Sequence, residues 1–249
     1  MIGTFINVAA ILVGGGLGLF FGSKLPGRVR STVLAGLGLF TLAFGVKLFL
    51  ESQQPLIVVA SLLFGGLLGE WLGIEEGLAG LGGWLQRRFG GEGVEGTEVE
   101  TDSRRRFIRG FLTASVLFCV GPMAILGSIQ DGLAGDYELL AVKSALDGFA
   151  SLAFASTLGV GVLFSSLAVL VYQGAITLLA SQAEALLTEL MIMEMTATGG
   201  VIIVGLAIGS LLEIRPIRTG NLLPALFLAP MLVALLEFLR PFLSVWGFS

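Results

Sequence analysis

The sequence contains no histidine and a single cysteine, Cys119, among its 249 residues. One cysteine cannot form an internal disulfide, and a zinc site made of thiolates and imidazoles needs ligands that the chain does not have. A Ser-His-Asp triad is excluded because there is no histidine. These shortages exclude those kinds of site, while the sequence as a whole predicts no enzymatic activity and no cofactor and leaves open whether a metal ion binds.

Charged residues are also scarce, at 13% of the chain, against about 25% in soluble domains. Apolar residues make up 55%, the mean hydropathy is +0.95, and several apolar runs are long enough to span a bilayer as helices. The 37 glycines favour close helix packing in lipid. No basic patch with interleaved aromatics indicates nucleic-acid binding. The sequence therefore predicts an integral membrane protein whose main partner is the lipid bilayer.

The apolar runs predict an all-α polytopic bundle of about eight transmembrane helices in a single domain, residues 1–249. The first run is interpreted as a retained span rather than a signal peptide, because basic residues follow it and no cleavage site does. The boundary between the fifth and sixth spans is open: a tight turn and one long broken helix both fit. The predicted spans are residues 2–22, 32–50, 56–73, 107–128, 139–157, 160–180, 197–214 and 221–243.

The distribution of Lys and Arg predicts the orientation in the membrane, since short cytoplasmic loops carry the excess of basic residues. With both termini outside, alternate loops place 11 of the 14 basic residues in the cytoplasm. The opposite loops carry acidic residues and no Lys or Arg. Residues 74–106 then form a cytoplasmic segment, with an amphipathic stretch along the membrane surface followed by an acidic, Gly-rich linker at 90–103.

Glycines recur at every fourth position in three of the predicted spans, and this spacing predicts close helix contacts. It also suggests an internal repeat of a helix hairpin, although independent use of small residues for packing explains the pattern equally well. The same glycine faces favour a homodimer. The glycines are Gly14, Gly18 and Gly22 in the first span, Gly65, Gly69 and Gly73 in the third, and Gly205 and Gly209 in the seventh.

Ionisable residues within a bilayer are rare and costly, so they are the best candidates for function. In the fifth span Lys143, Ser144, Asp147 and Ser151 follow a three-to-four-residue spacing and share one helix face, which predicts a polar stripe facing the bundle interior or water. Lys143 and Asp147 are four residues apart and can pair. A purely structural ion pair is the competing interpretation.

The fourth span contains Pro122 near its middle, and proline removes a backbone hydrogen bond and frees carbonyl groups. Irregular backbone persists at membrane depth only within protein or beside a cavity. The span ends in a polar run with Ser128, Gln130 and Asp131, and a broken helix with a polar end is a known way to bind an ion or polar solute. An ordinary proline kink is the alternative.

Other polar residues give weaker signals. Glu70 near the end of the third span either contributes to a polar path or is a boundary charge. Asn7, Gln173 and Asn221 are expected to link helices through hydrogen bonds, and Asn7 is also a candidate binding residue. Glu194 and Glu213 are expected to be solvated at the ends of spans.

The segments Phe111–Asp131 and Lys143–Gly161 carry a family resemblance. The chain resembles the YdfK/YqgA-type bacterial inner-membrane proteins, classed as domain of unknown function 554. The likeness extends to the Gly69-Glu70 step and to the Asn221-Leu222-Leu223-Pro224 run. Pro122 departs from the family pattern, where a small residue is expected, and the acidic linker is longer than expected. The resemblance implies an inner-membrane location and a transport role, and no defined activity.

Three function classes follow from these features. The leading hypothesis is a transporter or channel for a small ion or polar solute, in which acidic residues bind a cation or carry protons and Lys143 balances their charge. The second is a non-transporting membrane scaffold or sensor. The third, an intramembrane aspartyl protease using Asp131 and Asp147, is weak because the motifs of that class are missing. The substrate, the direction of transport and the oligomeric state are not predicted.

Overall fold

The computed structural model describes residues 1–22, 26–77, 80, 84 and 98–245, and every regular segment in these ranges is helical. A π-helical turn, Ala207–Leu211, extends the helix Glu189–Leu206, and a 3-10 turn, Thr219–Leu222, precedes the helix Pro224–Val245. The helices are α1 (Ile2–Gly22), α2 (Gly27–Phe49), α3 (Pro55–Leu72), α4 (Glu98–Cys119), α5 (Pro122–Leu133), α6 (Glu138–Leu158), α7 (Gly161–Leu178), α8 (Ala180–Leu186), α9 (Glu189–Leu206) and α10 (Pro224–Val245).

Seven of the helical segments in the described residues are each long and apolar enough to cross a membrane, and α4 with α5 forms an eighth, bent by 61°. This confirms the predicted helical bundle of about eight spans. The bend lies at Gly121, whose φ of +123° is a conformation that favours glycine, and Pro122 starts the next helix at its first position. The predicted break in the fourth span is therefore present.

Two boundaries differ from the predicted ones. The seventh span begins at Glu189 rather than at residue 197, so Glu194 lies inside it. The α4 helix begins at Glu98, and the last residues of the predicted linker are helical. Most of the remaining predicted cytoplasmic segment, including residues 85–97, lies outside the described residues. The fifth and sixth spans are two helices, separated at Gly159, where φ is +86°.

Glycines mark the closest contacts between helices, as predicted. A Cβ atom added at Gly14 would lie 2.1 Å from the carbonyl oxygen of Gly148, and one at Gly18 would lie 2.3 Å from that of Leu152. These contacts join α1 to α6, where the two backbones touch because no side chain separates them. At Gly69, an added Cβ would lie 1.9 Å from the carbonyl oxygen of Asn221, just before α10.

These glycine faces pack against other helices of the same chain, so a homodimer would need a different surface. The α2–α9 contact is reciprocal: a Cβ added at either Gly45 or Gly200 would lie 2.6 Å from the carbonyl oxygen of the other. Gly205 and Gly209 do not continue the pattern of α1 and α3. They face the loop before α10, at Thr219 and Ile217.

The contacts also give the relative directions of the helices. Along the α1–α6 contact the residue numbers rise together, from Gly14 against Gly148 to Gly18 against Leu152, so these helices are parallel. Along the α3–α10 contact the residue numbers change in opposite directions, from Gly65 against Ala225 to Gly69 against Asn221, so these helices are antiparallel. Eight spans that cross the membrane in alternating directions require both relations, because α1 and α6 are the first and fifth spans and α3 and α10 are the third and eighth. The beginning of α1 and the end of α3 therefore lie at opposite ends of the bundle.

The interior of the bundle is apolar toward one end and polar toward the other. Toward the end of α1 an apolar cluster closes the interior between α1, α4, α6 and α7, and it includes Ile11, Phe118, Phe154, Leu158 and Val169. Toward the beginning of α1, by contrast, polar side chains from three helices meet. That polar region contains most of the predicted site residues.

Candidate functional site

A polar stripe runs along one face of α1, starting at Met1. Thr4 and Asn7 are fully buried, and together with Met1 they lie on one face because they are three residues apart. The stripe continues to the backbone carbonyl of Ile11, about 15 Å from the start of the helix at 1.5 Å per residue. That distance is about half of a bilayer core of about 30 Å.

Asn7, Asp147, Lys143 and Gln173 form the centre of the polar region, and we call these four residues the central polar network. Asn7 Nδ2 donates to Asp147 Oδ2 at 3.0 Å and to Gln173 Oε1 at 3.3 Å. Lys143 Nζ donates to the same Asp147 oxygen. The exposed fractions of the four residues range from 0% to 7%. The structure thus brings the predicted α6 pair into contact with α1 and α7.

Two polar atoms of this network have no hydrogen-bond partner among the described residues: Asn7 Oδ1 and Gln173 Nε2. Exchanging the amide oxygen and nitrogen positions of Asn7 or Gln173 does not give these atoms partners. A carboxylate only accepts hydrogen bonds, so Asn7 must present its nitrogen to Asp147, and Gln173 must then present its oxygen to Asn7. One acceptor and one donor therefore remain, together with Asp147 Oδ1, which accepts no bond from the described residues.

Between the network and the end of the bundle where α1 starts, Asp131 of α5 binds the N-terminus of α1. Its carboxylate accepts from the α-amino group of Met1 and from the backbone N–H of Gly3, both at 3.1 Å. A carboxylate is favourable at a helix N-terminus, where backbone N–H groups lack partners. Between Asp131 and the network, the hydroxyl groups of Thr4 and Thr177 lie 3.5 Å apart. Polar groups are thus continuous from the start of α1 to Asp147.

On the other side of the network, toward the end of α1, the polar region ends. Ser151 Oγ donates to the backbone carbonyl of Ile11 at 2.8 Å, which joins α6 to α1. At the same level the backbones of Gly14 and Gly148 touch, and the apolar cluster follows. The region is therefore polar from one end of the bundle to about its middle and packed shut beyond it.

Besides Asp131 and Ser151, which lie on either side of the network, four of the predicted site residues are outside it. Ser128 and Ser144 are buried, but each hydroxyl donates to a carbonyl of its own helix, at 2.6 Å in both cases. Gln130 is exposed on α5, because its side chain points away from the face that carries Asp131. Glu70 lies at the opposite end of the bundle. Spacing along the sequence placed these residues on the correct helices but did not give their partners.

Glu70 belongs to a separate cluster that ties the end of α3 to the loop before α10. It pairs with Arg218 at 2.5 Å and accepts from Asn221 Nδ2 at 2.6 Å. Glu75 Oε2 accepts from the backbone N–H of Gly220 at 2.7 Å. Partial burial raises the pKa of the Glu75 carboxyl, against the lowering effect of the Gly220 hydrogen bond. Because Glu70 is exposed, this cluster fixes a loop rather than lining a buried path.

Glu194 is the main residue that sequence reasoning missed. It is fully buried, not solvated, because α9 begins five residues before it. Its carboxylate accepts from Ser52 Oγ at 2.6 Å and from the backbone N–H groups of Gln53 and Gln54, both at 2.8 Å. Glu194 therefore holds the start of α3, as Asp131 holds the start of α1. The apolar residues on both sides of Glu194 were the available signal that the helix continues past it.

The two carboxylates reveal a relation between α1 and α3. The separation of 51 residues that relates Gly14 to Gly65 also relates Gly3 to Gln54, and both of these amides donate to the buried carboxylate that holds their helix. The same separation relates Gly18 to Gly69. The helix-start contacts of α1 and α3 are alike, but their glycine faces pack on a parallel helix and on an antiparallel one, so the predicted hairpin repeat stays a prediction. It does not extend to α9.

The geometry of the described residues is that of a helical membrane bundle, and comparison with known proteins agrees with it. Residues 2–234 match the family model described as "Protein of unknown function (DUF554)". The chain belongs to the DUF554 family. No solved structure gives a significant match to it.

Two relatives show that the similarity extends over whole chains. The DUF554 chain is 30% identical over 237 residues to the "Uncharacterized membrane protein YdfK" of Bacillus subtilis, which covers 94% of this chain and 96% of the relative. It is 32% identical over 230 residues to the "Uncharacterized protein YqgA" of Escherichia coli, covering 92% and 94%. These relatives identify a membrane protein, and their names state no activity.

Proposed function

We propose that this DUF554 protein is a transporter or channel for a small ion or polar solute, with the central polar network as its binding site. The proposal places it in a bacterial inner membrane with both termini outside, so that the network is entered from the outer side. Arg106, Arg109 and Arg218 then lie on the cytoplasmic side, in agreement with the preference of basic residues for that side.

The observation that carries the proposal is the set of unsatisfied polar atoms in the network. Leaving a buried donor or acceptor without a partner costs about 1–3 kcal/mol, and native proteins rarely contain such groups without a reason. Asn7 Oδ1 and Gln173 Nε2 are two such atoms within one site. A solute that offers both a donor and an acceptor would satisfy them.

The available oxygen atoms of the network favour a cation or a proton as the bound or coupled species. Lys143 and Asn7 both donate to Oδ2 of Asp147, so Oδ1 remains available as an acceptor. Asn7 Oδ1 is a second oxygen in the same network, and oxygen ligands suit hard cations. The network residues are at most 7% exposed and the bundle is packed beyond Ser151, which corresponds to an occluded state in an alternating-access cycle.

A scaffold without transport activity is the second candidate, and the direct pairing of Lys143 with Asp147 favours it. The two charges compensate each other, and a compensated pair of this kind can serve only to hold α6. The two hypotheses differ in what happens when both charges are removed together. A structural pair is expected to be dispensable in that case, whereas a binding site is not.

The test is solute flux into liposomes that contain the purified protein, measured for protons, Na⁺, K⁺ and a panel of small polar metabolites. We expect Lys143→Met combined with Asp147→Asn to fold but to lose flux, because the shape of the pair is kept and its charge is removed. Ser144→Ala is the matched control on the same helix, since its hydroxyl bonds only its own backbone, and it is expected to keep wild-type flux. A folded double variant with full flux would leave the scaffold as the better explanation.

A further inference from the structure

A cavity separate from the central polar network lies beside the break in the fourth span. It has a volume of about 260 Å³, an almost wholly apolar lining from α4, α5, α7, α9 and α10, and Gly121 of the break in its wall. In the described residues α7 and α10 make few or no contacts with each other. Phe227, which lines the cavity on α10, is exposed, and so are Leu167 and Val171, next to the lining residues of α7. The cavity therefore opens to the bilayer between α7 and α10.

The cavity extends along one face of α4. Leu112, Val116 and Cys119 line it, and they share that face because they are three or four residues apart. The same spacing continues toward the start of the helix, to Arg109 and Arg105. At 1.5 Å per residue, Arg105 lies about 10 Å from Leu112 and about 20 Å from Cys119 along the helix. This span is comparable to one leaflet, which is half of a hydrocarbon core of about 30 Å.

The arginine end of this face has the charge to attract an anion. Arg105 is exposed and forms no ion pair with the described residues, and it lies between Arg104 and Arg106 in the sequence. Arg109 is paired with Glu213, so its charge is already balanced within the protein. Basic residues where a helix enters the bilayer attract anionic lipid headgroups, and a guanidinium group matches the geometry of a phosphate.

We propose that the cavity and Arg105 together bind one anionic phospholipid from the leaflet at the Arg105 end of α4. One acyl chain occupies the cavity, and the phosphate lies at Arg105. A polar solute would lose its hydration against the apolar walls without replacement. An apolar cavity of about 150 Å³ already holds benzene, so about 260 Å³ accommodates a longer segment of an acyl chain. A helix from a second copy of the chain, about 10 Å across, is too wide to enter.

The headgroup contact is tested by native mass spectrometry of the purified, delipidated protein. The probes are phosphatidylglycerol and phosphatidylcholine with the same palmitoyl and oleoyl chains, and the apparent dissociation constant of the first bound lipid is measured for each. We expect phosphatidylglycerol to bind roughly fivefold more tightly, as for one arginine acting on an anionic headgroup. Arg105→Gln is expected to remove this preference.

Arg28→Gln is the matched control for the headgroup contact. Arg28 is an exposed arginine near the start of α2, at the same end of the bundle, because α2 runs antiparallel to α9 and the end of α9 is joined to α4 through Glu213. No residue of α2 lines the cavity. This variant removes the same charge and is expected to keep the wild-type preference for phosphatidylglycerol.

The acyl-chain contact is tested by filling the cavity. Ala168 lines the cavity on α7, and Ala168→Phe is expected to weaken the binding of both lipids at least threefold. Ala175→Phe is the matched control, because Ala175 is exposed on the same helix and does not line the cavity. Circular dichroism establishes that each variant is folded. If Ala168→Phe is not, Ala168→Leu and Ala175→Leu replace the pair.

Three results would overturn the proposal. The first is equal affinity of the wild-type protein for the two lipids, which would reduce the cavity to a place for any lipid tail. The second is the same preference for phosphatidylglycerol in Arg105→Gln as in Arg28→Gln. The third is equal lipid affinity in the folded Ala168 and Ala175 variants. None of these results bears on solute flux through the central polar network.

Discussion

Replacing Gly14 by alanine tests the packing of α1 on α6, and Gly16 provides the comparison within the same helix. Both substitutions gain about 0.5–1 kcal/mol from the higher helix propensity of alanine. At Gly16 nothing lies within 4 Å of the added Cβ, and the position is exposed. At Gly14 the new atom would lie 2.1 Å from the Gly148 carbonyl oxygen. Because this neighbour is backbone, it cannot rotate away.

The expected loss at Gly14 can be worked out from that geometry. An ordinary contact needs about 3.5 Å, so α1 and α6 must separate by roughly 1 Å or more. Overpacking of this kind costs about 1–3 kcal/mol. The same separation would stretch the 2.8 Å bond from Ser151 Oγ to the Ile11 carbonyl, at a further cost of about 0.5–1.5 kcal/mol. Gly14→Ala should therefore be about 2–4 kcal/mol less stable than Gly16→Ala, because the propensity gain cancels between them.

The measurement is equilibrium unfolding of the two variants in mixed micelles with increasing sodium dodecyl sulfate, followed by circular dichroism. A comparison of the two alanine variants with each other removes effects that are common to any substitution in α1. Equal midpoints for Gly14→Ala and Gly16→Ala would refute the packing described here, since they would mean that the Gly14 face is as open as the Gly16 face.

Two further predictions concern the ends of helices and the orientation of the chain. Glu194→Gln is expected to destabilise the protein by about 1–3 kcal/mol in the same assay, because its three hydrogen bonds lose their charged acceptor. Glu189→Gln at an exposed position should have little effect, and similar losses for both would contradict the assigned role of Glu194. In a Cys119→Ala background, a cysteine at Gln53 is expected to be labelled from outside intact cells and one at Arg218 only after permeabilisation; the reverse pattern would invert the proposed topology.

The predictable part of this protein is the part that depends on local pattern. Apolar runs located the spans, and the four-residue spacing of Lys143 and Asp147 predicted their pairing on one helix face. The Gly14 and Gly69 contacts followed from the known use of small residues between helices. Each of these inferences needs only the geometry of a single helix.

The unpredicted part depends on which helices become neighbours. The partners of Asn7 are 140 and 166 residues away, and nothing along α1 identifies them. Glu194 was misjudged because its burial is compensated by Ser52, Gln53 and Gln54, which come from the opposite half of the chain. A buried carboxylate is acceptable only when such donors are present, and the pattern around Glu194 does not reveal them.

The pairing of helices has a consequence for how the chain is assembled during synthesis. In the described residues α1, α2 and α3 have few or no contacts with one another, and each packs instead on a later helix: α1 on α6, α2 on α9 and α3 on α10. The first three helices thus enter the membrane before their partners exist, with their glycine faces uncovered. The ribosome must add more than 120 residues before Asp131 can reach the start of α1. The amino-terminal third of the protein therefore lies in the bilayer without its packing partners until they are synthesised, and the bundle is complete only after α10 has been inserted.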